Sequence, residues 1–291
     1  MNKFIKQVIN FLLIIVIYCT FTGGFNYYHA FIKQLKFEQT NILIAGDSHT
    51  QKALNPSLFK SARNVSQPAE PYVITYWKLN RIFKSNIPDT LILAFTHHSI
   101  SGFNDIKFST NKWAAKEMFN RSYSIERFAE IQNDVKIDWH LKNIIKLKNI
   151  LLFPKTNHHS NFIGKGYNNF SKSDINDFKT AINRHFYNND SIYSFSKTSI
   201  EYLNKIIHLC NEKNVKIILV SPPVHEKYFN LIPDIYLKKF DSLKTSFKNQ
   251  QISVFDQSDI SLPESMYLNS DHLNSEGAVF FTSKVKDYIQ D

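Results

Sequence analysis

A three-layer α/β/α domain with a doubly wound parallel sheet is the fold class that this chain predicts. Three observations carry it. Continuous apolar runs recur at 42–45, 89–95, 215–221 and 252–256, and strands of that kind are covered on both faces. Helix-periodic stretches lie between and after them, as right-handed crossovers require. Polar, protonatable side chains stand just after the runs, where such sheets bind ligands. The 291 residues suffice for one large core with an insertion. With only 7 glycines and 9 prolines, disorder and repeats are not expected.

The first thirty residues read as a separate object. Lys3 and Lys6 precede an uncharged run from Val8 to Phe25, followed by Tyr27 and Tyr28. Eighteen residues cover about 27 Å, close to a bilayer core. Positive charge before the span and a long domain after it predict a single-pass cell-membrane anchor over 1–30 with residues 36–291 extracytoplasmic. A cleaved signal peptide is the rival, but Thr20-Phe21-Thr22 is a poor substitute for an Ala-x-Ala site.

Ile42–Ala45 is the first buried strand. Asn55-Pro56 caps a short helix through Phe59, and 64–66 reads as a second short strand. Pro71 opens a helix to about Lys84, with Val73, Tyr76, Trp77 and Ile82 on its buried side. The run 89–95 is the next strand. Residues 103–195 read as a helical insertion, with helices near 110–120, 123–133, 138–152 and 172–186. Ile200, Leu203, Ile206, Ile207 and Cys210 then recur at helical spacing, with Asn214 as the cap. The strand 215–221 stops at Pro222-Pro223, a helix near 233–248 leads to the strand 252–256, and Ala278, Phe281, Val285 and Tyr288 mark the closing helix.

The net charge of +10 favours anionic surroundings, although the lysines are spread along the chain and no nucleic-acid partner is expected. Cys19 and Cys210 sit in unrelated segments and form no zinc or redox framework. Adjacent histidines rarely face one ion, so no metal site is expected from His97, His98, His158 and His159, and no cofactor.

The strand ends carry the chemistry. Gly46-Asp47-Ser48-His49-Thr50 follows the first strand, Thr96-His97-His98 the 89–95 strand, and Asp271-His272 stands before the last helix. Acyl transfer needs a hydroxyl, a base within reach, an orienter for that base and oxyanion donors. Ser48 offers the hydroxyl and His272 the base. Gly46 permits a sharp turn, and Asp47 reads as its pin. The bland alternatives are a turn serine and a helix-entry histidine.

Gly-Asp-Ser at 46–48 together with "NSDHLNSEGA" at 269–278 resembles the SGNH (GDSL-like) hydrolase superfamily. The apolar N-terminus and "IILVSPPVHEKY" at 217–228 are similar to its membrane-tethered DltD- and alginate-acetylation-type members. The resemblance covers 40–95 and 200–290. It implies a flavodoxin-like SGNH fold, Ser48 as nucleophile and first oxyanion donor, and His272 as base. It also implies an acylated glycan or other ester as substrate, with a membrane acyl-donor protein as a possible partner.

Three departures stand out. The family acid, three positions before the histidine, is Asn269, so either Asn269 or Asp271 orients His272. The oxyanion glycine is missing; Ser66 is the nearest small residue, and Thr96 or His97 offers a further donor. "GFND" at 102–105 fits the family's Gly-x-Asn-Asp by letters but lies seven residues past Phe95. A catalytically impaired glycan-binding or scaffolding protein is the second reading, and an anion-binding flavodoxin-like module the third.

Overall fold

The computed structural model describes residues 2–109, 112–131, 135–168, 171, 175–250 and 252–290. A long helix, α1 (Asn2–Tyr27), is continued by one π-helical turn at Tyr28–Ile32. Then come β1 (Ile42–Ala45), α2 (Ser48–Ala53), β2 (Ala62–Asn64), α3 (Tyr72–Ile82) and β3 (Thr90–Ala94). The middle third holds α4 (Lys112–Ser122), α5 (Trp139–Leu151), α6 (His159–Ile163), α7 (Phe178–Phe186) and a small hairpin, β4 (Tyr187–Asn188) with β5 (Ser191–Ile192). The chain closes with α8 (Lys197–Glu212), β6 (Lys216–Ser221), α9 (Glu226–Phe229), α10 (Asp234–Asn249), β7 (Ser253–Asp256), the hairpin β8 (Tyr267–Asn269) with β9 (His272–Leu273), and α11 (Ser275–Gln290).

The central sheet is parallel throughout, in the order β2-β1-β3-β6-β7. Its residues alternate between two covered faces. Leu43, Leu91, Leu93, Ile217 and Leu219 pack with Leu203, Ile206 and Phe240 of α8 and α10. Ile44, Ile92, Ile218 and Val220 pack with Phe281 and Val285 of α11. This is the three-layer, doubly wound architecture. The strand order reverses between β1 and β3, and the crevice at that point is where such sheets place ligands.

Two expectations are corrected. The second strand lies at Ala62–Asn64, not 64–66, because the Ser66 N–H turns back to Asn64 Oδ1 at 2.9 Å and leaves the ladder. The helix expected over 123–133 is reduced to a 3₁₀ turn at Phe128–Glu130. There Phe128 is drawn into an aromatic cluster, edge-on to Trp77 at 5.0 Å and Phe108 at 4.9 Å. Residues 132–134, and 172–174 of the expected 172–186 helix, lie outside the described residues.

The N-terminal helix is long and apolar enough to cross a membrane. Its side chains from Phe4 to Tyr18 are exposed, whereas Thr22 and Asn26 are buried against α5.

Candidate active site

β1 delivers Ala45-Gly46 to the rim of the sheet, where Gly46 takes φ +131°. A Cβ there would meet the Ala94 Cβ of β3 at 2.4 Å, so glycine lets β1 turn while hugging its neighbour. Asp47 then caps α2, its Oδ1 accepting the His49 N–H at 2.9 Å. Ser48 is the first residue of α2 and half-buried, so its own N–H is one of the unsatisfied donors of a helix start.

The hairpin of β8 and β9 brings His272, the expected base. Its register pairs Asn269 directly with His272 across a two-residue turn, Ser270-Asp271, which sets both side chains on one face. His272 Nδ1 lies 2.9 Å from Asn269 Oδ1, and His272 Nε2 lies 2.7 Å from Ser48 Oγ. An amide oxygen only accepts, so the ring proton sits on Nδ1 and Nε2 is free to receive the serine proton.

Asp271 stands beside this line rather than in it. Its Oδ1 is 2.9 Å from His272 Nδ1, yet neither carboxylate oxygen is aligned for a hydrogen bond from the described residues. The hydrogen bond from the ring belongs to Asn269, and the carboxylate supplies charge. That charge is wholly buried, with His49 Nε2, His185 Nε2 and Arg184 Nη2 at 3.7–3.8 Å from Oδ2. Burial works to raise the Asp271 carboxyl, but His272, His185 and His49 outweigh it and hold the group well below the usual carboxylate range. Burial pushes His272 down to about 4, against the opposing pull of Asp271. The imidazole is therefore neutral at neutral pH, the state a general base requires.

A second acid–histidine pair lies behind Ser48. His98 Nε2 is 2.7 Å from Asp47 Oδ2, and Thr96 Oγ1 is 3.0 Å from His98 Nδ1. The rings of His272, His49, His98 and His185 form a continuous pile, with successive centroids 4.6, 4.4 and 4.5 Å apart. Asp47, His49 and His98, and separately His49, Asp271 and His272, each bring three ligand atoms within 4.8 Å of one another. Successive rings of the pile are inclined by 37°, 35° and 19°. His158 belongs elsewhere, beside Asn26 of α1.

The three expected accessory donors have other partners. Ser66 spends its N–H on Asn64 Oδ1 and has its hydroxyl against Thr50 Oγ1 at 2.9 Å. Thr96 closes a capping box with Ser99. His97 opens a 3₁₀ turn at His97–Ile100 and packs on the Phe240 ring of α10 at 4.1 Å, beside Phe95 at 4.4 Å from the same ring. The turn sends the next side chain, His98, toward Asp47 instead. Asn104 of "GFND" gives its amide N–H groups to the carbonyls of His98, Ser99 and Ser101, bracing the His98 loop. His49, Arg184 and His185 are the residues that the sequence reading does not assign to the site, whereas it leaves His98 even between lining the site and the surface; Arg184 and His185 lie in the insertion.

Beside the hairpin, Asp177 Oδ1 accepts the Ser270 N–H at 3.0 Å. The adjoining groove, about 510 Å³, is lined by Asn176, Phe178, Lys179, Thr180, Lys227, Asn230 and Leu231.

A family model matches residues 154–291, just under half of the chain, taking in Asn269, Asp271 and His272 but not Ser48. No curated protein matches. Among solved structures, the chain is similar to a GDSL-like lipase from Bacteroides thetaiotaomicron, at 10% identity over 92% of this chain and 98% of that one, TM-score 0.41. It is similar to a protein provisionally described as an acylhydrolase from Bacteroides fragilis, at 10% identity over 91% and 94%, TM-score 0.41. A third, provisionally described as a platelet activating factor from Streptococcus pneumonia, gives 12% identity over 99% of each chain, TM-score 0.42. Likenesses this distant carry no functional argument.

Proposed function

We propose that this chain is a serine-dependent ester hydrolase or O-acyltransferase of the SGNH (GDSL-like) type. The observation that carries the reading is the 2.7 Å contact between Ser48 Oγ and His272 Nε2. Ser48 Oγ attacks an ester carbonyl while His272 Nε2 takes its proton. The oxyanion that forms receives the Ser48 N–H. His272 returns the proton to the departing alcohol, leaving the acyl group on Ser48. Water or a sugar hydroxyl, deprotonated by His272, then attacks the acyl carbon, and His272 returns that proton to the departing Ser48 Oγ. Asn269 holds the ring tautomer, and Asp271 stabilises the transient imidazolium.

The finer reading is an enzyme tethered to the outer face of the cell membrane by α1, acting on a cell-envelope or exported glycan. A membrane acyl-donor protein would be its partner in the transferase case. Kinship with the DltD- and alginate-acetylation-type proteins is part of this proposal. The apolar N-terminal helix, the +10 charge and the groove flanked by Lys179 and Lys227 support it by chemistry suited to membranes and acidic polymers.

The asparagine at the family's acid position favours one alternative, an impaired site that only binds glycan. Hydrolysis of p-nitrophenyl acetate by the full chain separates the two. The enzyme reading expects turnover that drops roughly 10³-fold or more in Ser48→Ala and in His272→Ala. Wild-type protein no faster than Ser48→Ala leaves only the binding role.

A further inference from the structure

The last turn of an α-helix leaves carbonyls without intrahelical donors. At the end of α5 the donors come from α1. The Tyr18 hydroxyl donates to Leu152 O at 2.6 Å, and the Thr22 hydroxyl to Leu151 O at 2.7 Å. The Asn26 amide donates to Ile150 O and Phe153 O, both at 2.7 Å. Asn26 Oδ1 in turn accepts the Lys155 N–H at 2.7 Å. Gly23 leaves room for Leu151, whose Cδ2 would stand 3.1 Å from a Cβ there. The two helices are thus clamped by polar contacts from the C-terminal part of α1, two of the three residues, Tyr18 and Thr22, lying inside its apolar run.

That placement sets a depth. Tyr18 lies seven residues, about 10 Å, before Phe25 at the end of the uncharged run. Whatever level Tyr18 occupies, Leu152 occupies too. Several side chains around this tip are apolar and exposed, with Lys148 exposed among them. Leu147 is 55% and Phe153 64% exposed, with Ile144 and Leu152 also exposed. Their backbone carbonyls are satisfied from within the protein, which an apolar medium demands. Lys148 and Lys155 flank Leu152 in the chain within four residues, and positive charge suits an anionic headgroup layer.

We propose that the C-terminal turn of α5, with Leu152 and Phe153, inserts into the lipid bilayer beside α1 as a second, partial membrane element. The occupant of the exposed apolar face is lipid acyl chain. This rests on the reading of α1 as a membrane span. It makes α1 a structural part of the domain rather than a removable leader, since cleavage before Asn26 would strip the donors from Leu151 and Leu152. It also fixes the height of the catalytic rim above the membrane.

Depth-dependent quenching tests it. The full chain, in a Cys19→Ser background, is reconstituted in phosphatidylcholine vesicles with a minority of phosphatidylglycerol. An environment-sensitive fluorophore is attached at Ile17→Cys, Phe153→Cys or Asp287→Cys, and acyl-brominated lipid is the quencher. The expected result is quenching at 153 at least half of that at 17, with none at 287. A label at 153 that behaves like 287 while 17 is quenched overturns the insertion and spares the anchor. Labels at 17 and 153 both unquenched overturn the insertion and the membrane reading together.

Discussion

On the proposed mechanism, Asn269 and Asp271 divide between them the task of one carboxylate. Asn269 accepts the Nδ1 hydrogen bond and carries no charge; Asp271 carries charge but lies out of line for that bond. The two are therefore separable by pH. Activity requires neutral His272, so kcat/KM should fall as pH drops through about 4. Asp271 raises His272 toward its ordinary value. Asp271→Asn should then move the acid limb lower still and cut kcat by about 10²–10⁴. Asn269→Ala should lower turnover and leave the limb in place. A limb that moves with Asn269→Ala and not with Asp271→Asn would reverse the assignment. Ser48 and His272 were legible because a glycine turn after a strand and a histidine before a helix are local signals. The hairpin that seats Asn269 opposite His272 was not, because three residues of spacing do not announce a two-residue turn.

At the scale of elements, the junction of α1 with α5 makes the sharpest prediction. Asn26 is fully buried and serves three backbone groups. Asn26→Ala should destabilise the domain by about 2–4 kcal/mol, since two carbonyls and one N–H lose a buried partner at roughly 1 kcal/mol or more each. Chemical denaturation in mild detergent measures this; a change under about 0.5 kcal/mol would mean that the helices pack without depending on the clamp. The main strands and their crossover helices could be read from the sequence, because a continuous apolar run such as 217–220 has few other uses. The insertion resisted. Phe128 broke an apparent helix to reach Trp77, and Arg184 and His185 meet Asp271 only through tertiary packing.

For the whole molecule, the buried histidine pile links stability to pH. Burial lowers His98, His185 and His272, while Asp47 and Asp271, whose burial alone would raise them, are held low by their imidazole partners. Depressed histidines favour folding while neutral, and that advantage is lost as pH falls below the unfolded value of 6.5. Depressed carboxylates contribute above their unfolded value of 3.8 and lose that contribution as pH falls further. In both cases the unfolded chain binds more protons, so stability rises with pH across this window. The melting temperature should fall steadily from pH 7 to pH 4; a flat profile would mean that these groups are solvated. The sequence showed eleven histidines but not that four of them share one stack, because they come from α2, the turn after β3, α7 and β9.

The central claim is that Ser48 and His272 share a proton, and covalent labelling tests it most directly. Folded wild-type protein treated with a fluorophosphonate should carry the adduct on the Ser48 peptide by mass spectrometry. The labelling rate should be flat near neutral pH, fall through about pH 4, and drop at least 10²-fold in His272→Ala. Folded protein with no adduct at Ser48, or labelling indifferent to His272→Ala, would contradict the account.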